Sequence, residues 1–221
     1  MNVLVIAAHP DDEALGAGVA IARHARMGDA VTVMFMTEGT AARDGATGAE
    51  SARRRAAAEK AGKILGVSDL RFHDFPDNAM DRIALLDIVK AVERVASDIR
   101  PEIVYLHHPS DLNIDHKIAA RAAITCFRPL PGQSAVRLLS FEAPSATGWD
   151  FGDGMFAPNV FLDARDLIET KMKAIEAYAE ELRPFPHVRS REAIRARATY
   201  WGTQTGLEAA EPFELVRELV R

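Results

Sequence analysis

Residues 3–8, Val-Leu-Val-Ile-Ala-Ala, form a continuous apolar run of the kind expected for a strand buried on both faces of a parallel sheet. Residues 14–27 are Ala-rich and amphipathic, Gly28 closes them as a helix stop, and residues 31–36 are a second apolar run. A strand, a helix and a strand within the first 36 residues are the signature of a doubly wound α/β sheet. The alternation continues with a helix over 49–65 and a strand over 70–75. A helix over 81–99 follows, in which Ile83, Leu86, Val89, Val92 and Val95 or Ala96 recur at helical spacing, and then a strand over 103–106. Residues 38–48, with Gly39, Gly45 and Gly48 among Thr and Asp, are expected to form a mobile loop after a strand's carboxyl end.

A polar segment, residues 107–115, leads into a helix ending near Thr125; strands over 136–141 and 159–162 and helices over 165–182 and 190–201 complete the expectation. No low-complexity stretch, Pro/Ser-rich linker or internal repeat divides the chain, so residues 1–221 are expected to form one domain. The expected fold is a Rossmann-like α/β three-layer sandwich with a mainly parallel sheet and helices on both faces.

Composition narrows the function. Hydrophobic residues at 48% and charged residues at 27% permit a sizeable core beneath a soluble surface. A net charge of −5 offers no electrostatic footprint for nucleic acid or an anionic membrane, so a small or neutral ligand fits better. Cys126 is the only cysteine, which excludes an intramolecular disulfide framework and a cysteine-based zinc site. Any metal must use His and carboxylate. The N-terminal apolar run is too short to span a membrane and lacks the basic region of a secretory signal, so a cytoplasmic location is expected.

Two polar clusters fall at strand carboxyl ends, where open α/β sheets bind ligands: His9-Pro10-Asp11-Asp12-Glu13 after the first strand and Asp111-Leu112-Asn113-Ile114-Asp115-His116 after the fourth. His9, Asp12 and His116 together would supply three protein ligands and leave a fourth position open, the arrangement of a catalytic zinc. Zn²⁺ lowers the pKa of water and polarises a carbonyl, and the spare carboxylate, Asp11, is then the natural general base. Each cluster alone has a plainer reading. Asp11 or Asp12 serves equally as a helix N-cap, Asp111 and Asn113 as turn residues, and Asp115 as the cap of the next helix. Their occurrence at equivalent strand ends favours the metal site.

AHPDDEALGAG near the start, DLNIDH after the fourth strand and HVRSREAIRARATYWG followed by AEPF resemble the PIG-L/LmbE-like family of zinc-dependent de-N-acetylases, over nearly the whole chain. The resemblance implies His9, Asp12 and His116 as zinc ligands, Asp11 as the base that takes a proton from water, and Asp115 as a supporting or relay carboxylate. It also implies removal of an acetyl, or another small acyl group, from an amino-sugar-type substrate. Asn113 stands where many members carry a histidine that stabilises the oxyanion; Asn can donate a hydrogen bond but cannot deliver a proton to a departing amine. His187 is the expected donor in its place, with His107 and His108 behind it and a surface-loop role as the plainer reading. Arg54 aligns approximately with a substrate-contacting arginine, although the run Arg53-Arg54-Arg55 also suits a solvated helix face. Glu13 reads as a supporting or helix-start charge. Trp149 and Phe151, among glycines, suit either a sugar-stacking loop or local packing.

The partner expected is a small-molecule N-acyl amino sugar or conjugate, and assembly as a homo-oligomer is compatible with the sequence. Two other readings compete. A nucleotide-binding Rossmann protein is disfavoured because HPDDEALGAG places two carboxylates where a phosphate needs glycines and backbone N–H groups. A non-catalytic binding member of the same family is disfavoured by the presence of His9, Asp11, Asp12 and His116 together.

Overall fold

The computed structural model describes residues 1–39, 48–130, 136–149 and 154–220. Most of the expected loop over 38–48 lies outside the described residues, as does Phe151.

Among the described residues, seven strands form a single sheet in the order β3-β2-β1-β4-β5-β7-β6. They are β1 Asn2–Ala7, β2 Ala30–Thr37, β3 Asp69–Phe75, β4 Ile103–His107, β5 Arg137–Phe141, β6 Val160–Asp163 and β7 Ala210–Arg217. The first five in chain order run parallel, whereas β7 lies antiparallel to both β5 and β6. The helices are α1 Asp12–Arg26, α2 Gly48–Leu65, α3 Leu85–Ile99, α4 Ile114–Cys126, α5 Ile168–Ala177 and α6 Arg191–Thr203. Successive β1 side chains point to opposite faces. Val3, Val5 and Ala7 pack under α1, α2 and α5, while Leu4, Ile6 and Ala8 pack under α3 and α4. This is why residues 3–8 read as an unbroken apolar run. Gly28 adopts φ +81° just past the end of α1, which only a residue without a Cβ does cheaply. No helix among the described residues is long and apolar enough to cross a membrane.

Three elements depart from the sequence expectation. The helix expected from residue 81 starts at Leu85, after a 3₁₀ turn at Met80–Arg82, because Asn78 turns at φ +50° and the Asp115 carboxylate accepts the N–H groups of Asn78 and Met80. The helix expected over 165–182 ends at Ala177, where Tyr178 leaves helical geometry as its hydroxyl donates to Glu13 at 2.6 Å. Strand β7 was not anticipated, since Glu211 and Pro212 interrupt its apolar pattern.

Buried Glu211 has a structural cause. Helix α1 breaks at Ala17 (φ −134°, ψ 19°), and the released N–H groups of Val19 and Ala20 donate to the Glu211 carboxylate at 2.9 and 2.7 Å. Lys171 from α5 donates to Glu211 at 2.7 Å and to the Leu15 carbonyl at 2.7 Å, so the break leaves these groups paired. Gly16 sits beside the break because a Cβ there would lie 2.1 Å from the Phe141 ring.

Candidate metal-dependent active site

From β1 the chain builds outward through β2 in one direction and through β4 and β5 in the other, so the strand order reverses between β1 and β4. A crevice opens at such a point outside the strands' carboxyl ends. Residues 8–13 leave β1 there and residues 108–113 leave β4, which is how clusters a hundred residues apart come together.

Neither aspartate of the first cluster caps α1. The side chain of Asp11, at the N-cap position, makes no capping bond. Asp12 Oδ2 instead accepts the His9 N–H at 2.9 Å and turns toward the histidines. His9 Nδ1 and His116 Nε2 are 3.2 Å apart, and each lies 3.3 Å from Asp12 Oδ2. All three side chains are buried. Donors bound tetrahedrally to Zn²⁺ lie roughly 3.3–3.5 Å from one another, given bond lengths of about 2.0–2.2 Å. The triangle therefore has the dimensions of one face of a zinc tetrahedron, and its donor set is the three-ligand, open-position type.

The remaining nitrogens of both histidines face carboxylates. His9 Nε2 lies 3.1 Å from Asp115 Oδ2 and 3.2 Å from Asp77 Oδ1, and His116 Nδ1 lies 3.1 Å from Asp111 Oδ2. Such partners set the tautomer and ring orientation of a ligating histidine. Asp77 was not singled out by sequence reasoning, because its Pro-Asp-Asn context is an ordinary turn. Burial opposes protonation of His116, but Asp12 and Asp111 outweigh it and push the metal-free imidazole up to about 9.

Asn113 is the N-cap of α4. Its Oδ1 accepts the N–H groups of Asp115 at 2.8 Å and His116 at 3.3 Å, and its Nδ2 donates to Asn78 Oδ1 at 2.9 Å. The cap reading attached to Asp115 thus belongs to Asn113, and the Asn113 amide is engaged at both ends in orienting the His116 segment.

The expected proton donors lie elsewhere. His187 is exposed, and its Nδ1 accepts the Arg189 N–H at 3.0 Å; it is not among the residues lining the crevice. His107 is stacked on His116 with ring centroids 3.9 Å apart, and its Nε2 accepts the Ala8 N–H. Burial brings its pKa down to about 4, so it is neutral. His108 is held by Ser110 N–H and Glu214 away from the crevice lining.

The crevice encloses about 540 Å³, within the range of small-molecule sites. The Arg53-Arg54-Arg55 run resolves clearly: the side chains of Arg53 and Arg55 are 58% and 60% exposed, whereas that of Arg54 is 9% exposed and lines the crevice. Arg54 donates to the Pro10 carbonyl at 2.8 and 3.1 Å and to Glu181 at 2.5 Å. Arg189, which sequence reasoning passed over, also lines the crevice and donates to Asp11 Oδ2 at 2.9 Å. Burial pushes the Asp11 carboxyl up to about 6, although Arg189 and Arg54 both pull it down. Glu13, buried beneath it, is raised by burial to about 8, accepts from Tyr178 and Asp11 N–H, and stands behind the triad as a support. Trp149 is 56% exposed and lies one turn from the lining residues Ser145 and Ala146.

Residues 4–127 match the family described as PIG-L: GlcNAc-PI de-N-acetylase. The chain belongs to this family. PIG-L deacetylases are metal-dependent, which agrees with the His/Asp/His donor set. The chain is 30% identical over 170 residues to the uncharacterized deacetylase YaiS of Escherichia coli K12, covering 75% of this chain and 83% of that one. It is 29% identical over 226 aligned residues to diacetylchitobiose deacetylase of Thermococcus kodakarensis, covering 97% and 83%. Among solved structures it superposes with a TM-score of 0.80 and 26% identity on GalB, the 4-carboxy-2-hydroxymuconate hydratase of Pseudomonas putida KT2440, covering 100% and 98%. The same fold thus carries hydrolysis of an amide in some proteins and addition of water in another, and the site has to decide between them.

Proposed function

We propose that this protein is a zinc-dependent N-deacetylase that removes an acetyl, or another small acyl, group from the nitrogen of an amino-sugar-type substrate. The observation that carries the reading is the 3.2–3.3 Å donor triangle of His9, Asp12 and His116 beside a buried, arginine-held carboxylate, Asp11, in a crevice of about 540 Å³. Membership of a de-N-acetylase family and the likeness to a diacetylchitobiose deacetylase support the substrate class.

His9, Asp12 and His116 would hold the Zn²⁺, which when bound would supply Lewis acidity toward an amide carbonyl and lower the pKa of water. Asp115 and Asp77 hold His9, and Asp111 holds His116, so both rings are oriented before substrate arrives. Asp11 takes the proton of the attacking water. Burial pushes its carboxyl up and the two arginines pull it down; once it holds that proton, Asp11 is the group beside the donor triangle that can pass it to the departing amine. Both transfers are assigned to Asp11 rather than to His187. Among the described residues, His9 and His116 are the histidines that line the crevice, and both would be taken up as metal donors. Arg54 shapes the wall of the crevice through Pro10 and Glu181.

The test is an amine-release assay over N-acetyl amino sugars and chitooligosaccharides with the purified protein, coupled to metal analysis. Amine release that a chelator abolishes and zinc restores is expected. Metal-loaded protein that releases no amine from any N-acyl sugar yet hydrates an unsaturated carboxylate would replace this reading with a hydratase.

A further inference from the structure

We propose that Arg189 is a positioning residue for the Asp11 carboxylate, locking it in the orientation that proton transfer requires. The inference rests on the reading of Asp11 as the base. Asp11 adopts φ +126°, ψ −28°, a backbone conformation that a residue with a Cβ keeps only when its surroundings hold it. Part of that hold is local: the N–H groups of Ala14 and Leu15 donate to the Asp11 carbonyl, and its own N–H donates to Glu13. The side chain is held from far away in sequence. Arg189 Nη1 donates to Oδ2 at 2.9 Å across 178 positions, while Oδ1 has no hydrogen-bond partner among the described residues. The guanidinium thus fixes one carboxylate oxygen and, with it, the plane of the group.

Arg54 does not duplicate this role. Its Nη2 lies 3.4 Å from Asp11 Oδ1, an ion-pair distance, and its hydrogen bonds go to Pro10 and Glu181. Arg189 is in turn aimed by a second point of attachment. Its Nε donates to Ser145 Oγ at 3.1 Å, and Ser145 sits at φ +97° on the crevice wall. The next residue, Ser190, caps α6 by accepting the Ala193 N–H, which fixes the backbone from which the arginine reaches. A planar guanidinium with one edge on Ser145 and another on Asp11 transmits the position of the 142–149 loop to the base. A lysine ammonium has no such fork.

Arg189→Ala is expected to bind metal at the wild-type stoichiometry and to lose about 10²-fold in kcat, the scale of a catalytic group misplaced by about 1 Å, with KM changed little. Added guanidinium should recover part of the lost kcat, urea should not, and Arg189→Lys should fall between wild type and Ala. Wild-type kcat in Arg189→Ala, or a loss confined to KM, would overturn the positioning role. So would a kcat loss that guanidinium leaves untouched. If Arg189→Ala does not fold, Arg189→Lys decides: reduced kcat at constant KM supports the proposal, and wild-type kcat overturns it. Failure of the wild-type protein to release amine from any N-acyl sugar strikes instead at the functional reading, which separates the two outcomes.

Discussion

Asp111 Oδ2 lies 3.1 Å from His116 Nδ1 and accepts a hydrogen bond from Thr147 Oγ1 at 2.6 Å, so the residue that bridges the β4 and β5 loops also orients the imidazole proposed as a metal donor. Asp111→Asn is expected to weaken metal affinity about 10–100-fold, the usual effect of losing such a partner, and His116→Ala to abolish stoichiometric binding. Competition against a chromophoric chelator measures both. Equal affinity in wild type and His116→Ala would remove His116 from the donor set.

Asp11→Asn preserves the shape of the side chain and removes its basicity. Metal content should stay at the wild-type level while turnover falls by about 10²–10⁴-fold. Near-normal turnover with full metal would send the base role to Glu13, the neighbouring buried carboxylate.

His187→Ala should keep both fold and turnover, because the ring is exposed and outside the crevice lining. Steady-state kinetics suffice to check this. A kcat loss as large as that of Asp11→Asn would restore His187 as the proton donor and require the 183–190 segment to move.

Asn113→Ala is expected to act on stability before chemistry. It removes the cap of α4, costing about 0.5–2 kcal/mol, and Asn113→Asp should recover most of it. Denaturant midpoints of the chelated proteins report the difference. A rate loss with unchanged stability would point back to an oxyanion contact.

Lys171→Met leaves Glu211 buried without its cation beneath the α1 break. Breaking a buried pair from one side costs about 3–5 kcal/mol, so a large fall in the unfolding midpoint is expected. A change below about 1 kcal/mol would mean that the backbone N–H groups alone satisfy Glu211.

The parallel half of the fold was legible because its signals are local. Residues 3–8 and 103–106 read as buried strands from composition alone, and the right-handed connection of such units places both strand ends at one crevice. His9, Asp12 and His116 were legible for the same reason: each follows a recognisable strand end, so topology brings them together. By itself, then, the sequence determined the α/β class and the donor set to be tested. Tertiary structure decided the rest. Only the meeting of α2 with the Pro10–Asp11 turn and with Glu181 selects Arg54 from three consecutive arginines. Only the path of the chain between α5 and α6 brings Arg189 to Asp11 and leaves His187 in solvent. Likewise, β7 carries a buried glutamate through the sheet because a break in a helix exposes N–H groups, 192 and 191 residues earlier, for that glutamate to accept. Each of these is a pairing of polar groups across elements distant in sequence. Such pairings are set by how packed surfaces meet, and residue spacing along the chain carries no record of that.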